Sequence, residues 1–577
     1  MPITISLLTT PTALEPINAP LWFRTNSTSS GLTDFKYVFR PEYKIEPFAS
    51  TSFTTLGTYR IPPRPGGGDG LFSPHRTLKS FLTPKIDPYI STFGAETGSL
   101  IDYRIKYGFE YNPNQIFTDT INVSGNMGVT FSTIHDYIVG DIITLNKNNK
   151  NFNPQYDGTC SVTSVPNSYS VKTDKAFSST LLANESGVVT SNFRISGTTS
   201  EFFTWNGTRQ YTEREKSFIP YLMGSQSAVQ GKFLTNYNTT YKPVRLDDYE
   251  TLSMILPSSP LQPYYLSVNT YRSDGSFIAT YGLTYSTNTF RKLDVGIGPM
   301  NLINAGIPFI SATGTNVVDS YDIQIKNSQF GFPTTASEFR KFKIDTTCSN
   351  YENQRIVFLN RLGGWDYFNF TLDSKKSITI SRTEYEKILD WNYTIGDRGK
   401  TILAQKAETK MTINSNWITE KDSIWLEELL TSPEVYLMPY TNIIYQNQGP
   451  IYLTPPGSNY YSFAIEPGTY NMQFDVFRGD NLSINGDSML IDTLSRTQTT
   501  THYAKKITTD GIIEFENRLD FDSDIIITNL VITKTTGDKL PIIITDNAYE
   551  VKTYLRNQMF NLSLNYKFGF DLNLQNE

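Results

Sequence analysis

Short aromatic and β-branched runs, cut at close intervals by Gly, Pro, Asn and Ser, recur along nearly the whole of this chain. That cadence constrains its fold more than any other feature. Between Leu21 and Phe53 the runs LWF, FKYVF and YKIEPF alternate with Asn/Ser/Thr/Gly and Pro stretches. Residues 463–534 repeat the rhythm in FAIEP, YNMQFDVF, LSIN, AKKIT, IIEFEN and DIIITNLVITK. Such side chains suit a pleated, half-buried surface, and runs of this length bounded by turn residues read as strands. The expected fold class is all-β: several antiparallel β-sandwich and small-barrel modules, a few short helices, and a jelly-roll-like sandwich near the C-terminus. Composition agrees, since 36 Tyr and 36 Phe in 577 residues stand against three His and two Cys. The chain is rich in packing and contact groups and poor in groups that move protons or hold metals.

The expected organisation is an N-terminal β-sandwich over 1–121, a small inserted β-barrel over 122–180 and a second sandwich region over 181–335. A hairpin-plus-short-helix region over 336–460 and the C-terminal sandwich with closing strands over 461–577 complete it. Pro62-Pro63-Arg64-Pro65 and Gly66-Gly67-Gly68-Asp69-Gly70 read as a flexible loop. Ser73-Pro74 then reads as an N-cap with Pro at the first helical position, placing Leu78, Phe81 and Leu82 on one face. Val139-Gly140-Asp141 is the tight turn of the small barrel. Hairpins are expected at Asn206-Gly207, at Asp274-Gly275 and, as a two-residue turn, at Gly363-Gly364. Thr212 and Glu215 have capping-box spacing for a short helix ending near Pro220. The strongest helix is 420–430, with Thr419 as N-cap, Asp422 in the first turn, Trp425, Leu426, Leu429 and Leu430 facing a core, and a stop before Ser432-Pro433.

Charge and chemistry narrow the function. With 50 Lys+Arg against 56 Asp+Glu the formal charge is −6, so nothing draws the chain as a whole to nucleic acid or an anionic membrane. The opening MPITISLLTTP lacks a positive n-region and a long apolar core, so no signal peptide is expected. No run reaches the ~20 apolar residues of a membrane helix. Cys160 and Cys348 belong to no ligand cluster and read as buried free thiols. His75, His135 and His502 sit in no nucleophile elbow. Gly296-Ile297-Gly298 lacks the third glycine of a dinucleotide loop, has Pro299 where a donor is needed, and reads as a turn. Asp520, Asp522 and Asp524 lack the full pattern of a calcium loop, and Arg478-Gly479-Asp480 reads as turn chemistry. Asn206, Asn369 and Asn392 start glycosylation triplets at the frequency chance gives in an Asn/Thr-rich chain. No catalytic, cofactor-binding or metal-binding residue is therefore expected, and no cofactor. Tyr460, Tyr461 and Tyr503 are candidates for stacking on sugar rings, and Trp365, Tyr367 and Trp391 for anchoring protein partners.

Six segments, in order, carry a resemblance: PINAPLWFRTNSTSSGLTDFKYVF, GLFSPHRTLKSFL, TWNGTRQYTERE, GKFLTNYNTTYKPVRLDDYETLSMI, FLNRLGGWDYFNF and NLSLNYKFGFDLNLQN. Together they resemble large β-rich virion proteins of tailed phages that infect Bacteroidota, including crAss-like phages. The 135–177 region is similar to a small β-module found within phage structural proteins. The resemblance implies a structural virion protein made in the host cytoplasm, a tail or tail-hub component. It would form a ring with copies of itself and join portal-proximal, tail or fibre proteins. The alternative it leaves open is a receptor- or carbohydrate-binding tail-tip protein acting through the C-terminal sandwich on a host surface glycan.

Overall fold

The computed structural model describes residues 3–568 except for several segments, the longer of which are 148–156, 178–186, 310–316, 494–500, 518–524 and 546–558. Among the described residues it is built of mainly antiparallel sheets and three short α-helices, α1 (His75–Lys79), α2 (Pro299–Asn304) and α3 (Glu420–Thr431). Two compact units divide the chain, one of residues 1–85 with 96–219 and one of residues 86–95 with 220–577.

In the first unit the strand Leu100–Tyr111 is the spine. It pairs along its length with Lys36–Ile45 on one side and with Gly187–Thr198 and Phe202–Trp205 on the other. A three-stranded sheet of Ser6–Thr9, Phe23–Asn26 and Gly70–Phe72 supplies further core residues. There Phe23 meets Tyr103 and Phe202 edge-on, and Phe39 stacks on Phe72. Leu78 and Leu82, on and just after α1, are buried in the same core. Ser73 does not cap that helix; its hydroxyl bonds the His75 ring at 2.9 Å instead.

Six strands then close a small barrel. In spatial order they are Gln115–Val123, Asn126–Phe131, Ser170–Ala176, Gly158–Asn167, Ile142–Lys147 and Gly187–Thr198, the last pairing back onto the first. Closure leaves no free edge within the ring. Phe117, Val129, Ile143, Val162 and Val171 fill it, as alternation along each strand requires. The turn at Val139-Gly140-Asp141 is present, with Gly140 at φ +94°. Asp141 forms a buried two-pronged ion pair with Arg194 at 2.5 and 2.6 Å.

Two local expectations fail in this unit. Asn206-Gly207 makes no hairpin: Phe202–Trp205 runs parallel to Leu14–Pro16, and the pairing continues as Ile17 and Asn18 donate to the carbonyls of Trp205 and Gly207. Beyond it Tyr211–Glu213 forms a 3₁₀ turn, and Glu215 lies outside the described residues. The loop at 62–70 is also tied down. Tyr37 donates its hydroxyl to the Gly68 carbonyl, Gly67 and Gly68 donate to Arg64, and buried Asp69 pairs with Arg24 at 2.6 Å. The glycines serve this folded loop, two of them at positive φ, instead of leaving it loose.

The second unit opens with a sheet of Lys242–Val244, Arg340–Ile344, Ser320–Gln329, Tyr264–Tyr271 and Phe277–Tyr285, with Phe332–Thr335 added on Ser320–Gln329. It shares a core with a smaller sheet of Thr251–Ile255, Lys292–Gly296 and Phe93–Ala95. The hairpin at Asp274-Gly275 forms as expected, with Gly275 at φ +80°. Gly296-Ile297-Gly298 links a strand to α2, and its glycines serve close backbone approach. A Cβ on Gly296 would lie 2.1 Å from the Ile90 carbonyl oxygen, and one on Gly298 2.4 Å from the Glu250 nitrogen.

A seven-stranded sheet follows in the order Trp365–Phe370, Gln354–Leu359, Val435–Leu437, Leu540–Ile544, Met559–Phe568, Lys400–Thr419 and Ser374–Glu386. Phe370 and Ser374 are neighbours in sequence yet belong to strands at opposite ends of that order, so the sheet must curl back on itself. Helix α3 adds Trp425, Leu426 and Leu429 to its core. Thr419 is the expected N-cap, and with Asp422 in the first turn it forms a reciprocal capping box. Both faces of Gln354–Leu359 are covered, Ile356 and Phe358 in one core and Val357 and Leu359 in another, which is why the segment reads as an unbroken apolar run.

Between Val435–Leu437 and Leu540–Ile544, which pair with each other, the chain inserts an eight-stranded sandwich. Its strands are Ile451–Leu453, Tyr460–Ala464, Gly468–Phe477, Leu482–Gly486, Met489–Thr493, Thr501–Thr509, Ile512–Asn517 and Ile525–Thr536. The first pairs with the eighth, the second with the seventh, the third with the sixth and the fourth with the fifth. Successive pairs alternate between two sheets, which is the winding of a jelly roll. Phe474, Ile484, Phe515 and Ile527 lie in its core. Tyr440–Gln446 adds a further strand beside Ile525–Thr536.

The hairpin at Gly363-Gly364 is a correction in detail. Its loop is the five residues Asn360–Gly364, between Leu359 and Trp365. Gly363 alone of the pair has positive φ (+77°), while a Cβ on Gly364 would lie 2.2 Å from the Leu234 carbonyl oxygen. Gly363→Ala should therefore cost about 1 kcal/mol of left-handed backbone penalty, and Gly364→Ala more, roughly 2–3 kcal/mol of forced displacement. Thermal unfolding of the two variants should show that order; equal melting temperatures would contradict the two distinct roles.

Candidate functional site

Three features of the second unit bear on function: a buried charge network, the cleft it helps to line, and a hairpin arm that runs past the body of the sheet.

The network grows from the segment Lys242–Glu250. The Arg245 nitrogen donates to the Asp248 carboxylate at 2.8 Å, a tight turn that directs Asp248 and Glu250 inward. Arg355, on the neighbouring hairpin, meets both, bonding Asp248 at 2.8 Å, Glu250 at 3.1 Å, the Tyr249 carbonyl at 2.8 Å and the Asn369 amide oxygen at 2.8 Å. Its guanidinium also lies 5.1 Å from the centre of the Tyr367 ring. Lys242 bonds the other oxygen of Glu250 at 2.5 Å and lies 5.4 Å from the centre of the Trp425 indole. Burial opposes the Arg355 cation, but Asp248 and Glu250 more than offset it, so its pKa lies above the ordinary value. Burial raises the Asp248 carboxyl, with Arg355 pulling the other way. Every charge here has an opposite partner, which is the condition under which charges can be buried at all.

Asp366 is the nearest thing to an acid with catalytic tuning. Burial raises its pKa, opposed by Lys242 and by the Trp425 indole N–H, which donates to it at 2.8 Å. It is nevertheless sealed in the core and does not line the cleft. The two carboxylates that do, Asp345 and Asp422, already accept from Thr347 and Thr419.

The cleft has a volume of about 230 Å³. Tyr237, Phe368 and Trp417 line it together with Lys242, Arg245 and Arg355. Trp417 is 62% exposed although it sits on a strand. The register between Lys400–Thr419 and Met559–Phe568 slips between Asn414 and Trp417, a bulge that re-aims the side chain outward.

Among the described residues, Lys400–Thr419 pairs from Lys400 to Thr409 only with Ser374–Glu386. The result is a two-stranded arm of about ten residues per strand, roughly 30 Å long at ~3.3 Å per residue. Every residue of Ser374–Glu386 is exposed. Its faces differ: Ile378 and Ile380 stand opposite Thr409 and Ala407, while Ser377, Thr379 and Ser381 stand opposite Lys410, Glu408 and Lys406. Towards the tip Ile388, Trp391 and Tyr393 are exposed. Sequence reasoning passed over this arm. The S-I-T-I-S alternation at 377–381 was its signal, but alternation alone does not reveal that the polar face and the apolar face are both in water.

The expected site residues separate accordingly. Trp365 and Tyr367 are 1% exposed and pack in the core, so they cannot anchor a partner; Trp391, 90% exposed, can. Tyr461 is partly buried against the jelly-roll core, and the side chains of Tyr460 and Tyr503 lie outside the described residues. His135 is buried, its ring stacked on Tyr137 and within 3.3 Å of the Ser170 carbonyl, and burial lowers its pKa, as it does that of His75. The side chain of His502 lies outside the described residues, as do Cys348, Asp520, Asp522, Asp524 and Arg478-Gly479-Asp480. Cys160 is buried as a free thiol, with its pKa pushed up to about 12 by burial. Among the described residues no cluster of three or more His, Cys, Asp or Glu could hold a metal ion, and no helix is long and apolar enough to cross a membrane.

Removing Arg355 strips buried Asp248 of its cationic partner and leaves Glu250 with Lys242, so Arg355→Met should cost about 3–5 kcal/mol in a denaturant titration. Arg355→Lys should recover little of it, because one ammonium cannot replace the fork of donors. For Asp366 the raised native pKa means that the folded state holds a proton the unfolded chain has released, so its ionisation destabilises as pH rises above the unfolded value of about 3.9. Asp366→Asn, which keeps an acceptor for Trp425, should gain in melting temperature relative to wild type between about pH 4 and pH 7. A constant difference across that range would refute the assignment. No family model and no curated protein matches this chain.

Proposed function

We propose that this chain is a structural component of a tailed-phage virion, a tail or tail-hub protein that assembles with copies of itself into a ring and joins other tail proteins. The observation that carries the assembly part is the arm. An isolated two-stranded hairpin is at best marginal in water, and this one extends roughly 30 Å with Ile378 and Ile380 uncovered on one face. Among the described residues no further strand pairs with either of its edges, and backbone donors and acceptors there invite strand addition from a neighbour. A partner that covers the apolar face supplies what the fold of one copy leaves missing. The virion part rests on the resemblance carried by the six segments, and the all-β modular build agrees with it. The weakly negative chain also suits a part near a DNA conduit, because a basic lumen would hold phosphates.

In this reading the work is mechanical and no molecule is transformed. Sandwich and barrel cores give stiffness, and the arm gives the bond between neighbours. The jelly roll supports a second reading, in which that module binds a host-surface glycan, since this architecture serves both capsid and lectin domains. A glycan array probed with the full chain tests that reading directly.

Full-length protein should sediment as a multimer, and electron micrographs should show closed rings. Substituting Ile378→Lys together with Ile380→Lys should release monomers while leaving the melting temperature within about 2 °C, because both side chains are exposed in one copy. Monomers at all concentrations for the wild type, or unchanged multimers for the double variant, would remove the arm from the assembly bond.

A further inference from the structure

The cleft beside Trp417 and the tip of the arm answer each other chemically, yet they cannot meet within one molecule. Trp417 and Lys400 are 17 positions apart on the single strand Lys400–Thr419, which puts about 55 Å between the cleft and the turn end of the arm at ~3.3 Å per residue. The tip offers Trp391, 90% exposed, with Ile388 and Tyr393 beside it. The cleft offers about 230 Å³ lined by Tyr237, Phe368 and Trp417. Lys242 and Arg355 line it as well, and their cations already face ring systems, Trp425 and Tyr367 respectively. Indole is the strongest side-chain partner for a cation, and aromatic walls favour edge-on or offset contact with another ring.

We infer that the arm tip of one copy, Trp391 foremost, seats in the Trp417 cleft of a second copy. This rests on the assembly reading above and gives it a donor surface and an acceptor surface. The two surfaces differ, so the contact is heterologous: each copy gives one tip and receives one. Such contacts run head to tail and close into a ring when the rotation per copy divides the circle. Trp417 is 62% exposed on its strand, beside a bulge in the register, and a receiving wall would account for that exposure.

The test uses full-length protein in sedimentation velocity, with melting temperature as the check on folding. Trp391→Ser removes the tip; Trp417→Ala opens the cleft, and Thr371→Trp fills it from its wall. Each variant should associate roughly tenfold more weakly or worse than wild type, the loss expected of a central aromatic anchor. The decisive sample is an equimolar mixture of Trp391→Ser with Trp417→Ala. One partner keeps its cleft and the other its tip, so the mixture should form pairs and nothing larger. A tip-to-tip contact would leave Trp417→Ala assembling as wild type, and that result overturns the inference, as does a mixture that stays monomeric. If Trp417→Ala does not fold, Thr371→Trp takes its place in the mixture with the same expectation. Wild type that assembles while both cleft variants assemble equally well would discard the cleft and keep the arm; wild type that never assembles would discard the assembly reading itself. Glycan binding that is lost in the cleft variants without any change in assembly would reassign the cleft to a sugar.

Discussion

Arg355 is the side chain on which the middle of the molecule depends. Its donors are shared among Asp248, Glu250, Asn369 and the Tyr249 carbonyl, so one residue of a hairpin fixes the course of a whole neighbouring segment. That segment carries Lys242 and Arg245, which line the cleft, and Lys242 in turn faces Tyr237 and Trp425. Buried electrostatics thus fix one part of the cleft's lining. A cluster of this kind gains little over well-packed apolar residues of the same size, but it tolerates no missing member. It gives that part of the cleft one geometry.

The class of fold was legible in the sequence because the strand signals were local and mutually consistent. Asp274-Gly275 and the Thr419–Asp422 capping box are decided within a few residues, and both are present. Asn206-Gly207 misled because the parallel pairing with Leu14–Pro16 comes from nearly two hundred residues away and outweighs a turn preference. Gly364 misled for a related reason: the group that forbids a side chain there is the carbonyl of Leu234. Trp365, Tyr367 and Trp391 are alike as residue types, and only the tertiary pairing separates two core residues from one at an arm tip. The charge network was illegible for the same cause, since Asp248 and Arg355 are brought together only by the packing of distant segments.

The strand edges are handled in two opposite ways. The six-stranded ring over 115–198 consumes its own edges by closing, and the inserted roll folds its edges into two short sheets. The arm does neither. Its apolar alternation is kept in water on one face, with Lys376, Arg382 and Lys406 nearby as the charges that discourage indiscriminate pairing. A projecting element with one apolar face in water, set against a ring that closes on itself, gives the protein a directional surface.

The jelly roll lies inside the arm-bearing sheet as an insertion, and the two strands that flank it, Val435–Leu437 and Leu540–Ile544, pair with each other. During synthesis, therefore, Lys400–Thr419 emerges long before its body-side neighbour Met559–Phe568. The arm has no anchored base until the ribosome has made the intervening 140 residues or so, by which time the roll can already have wound. Order of manufacture thus sets order of assembly, because the projection gains its body-side neighbour only after the strands of the roll have been made.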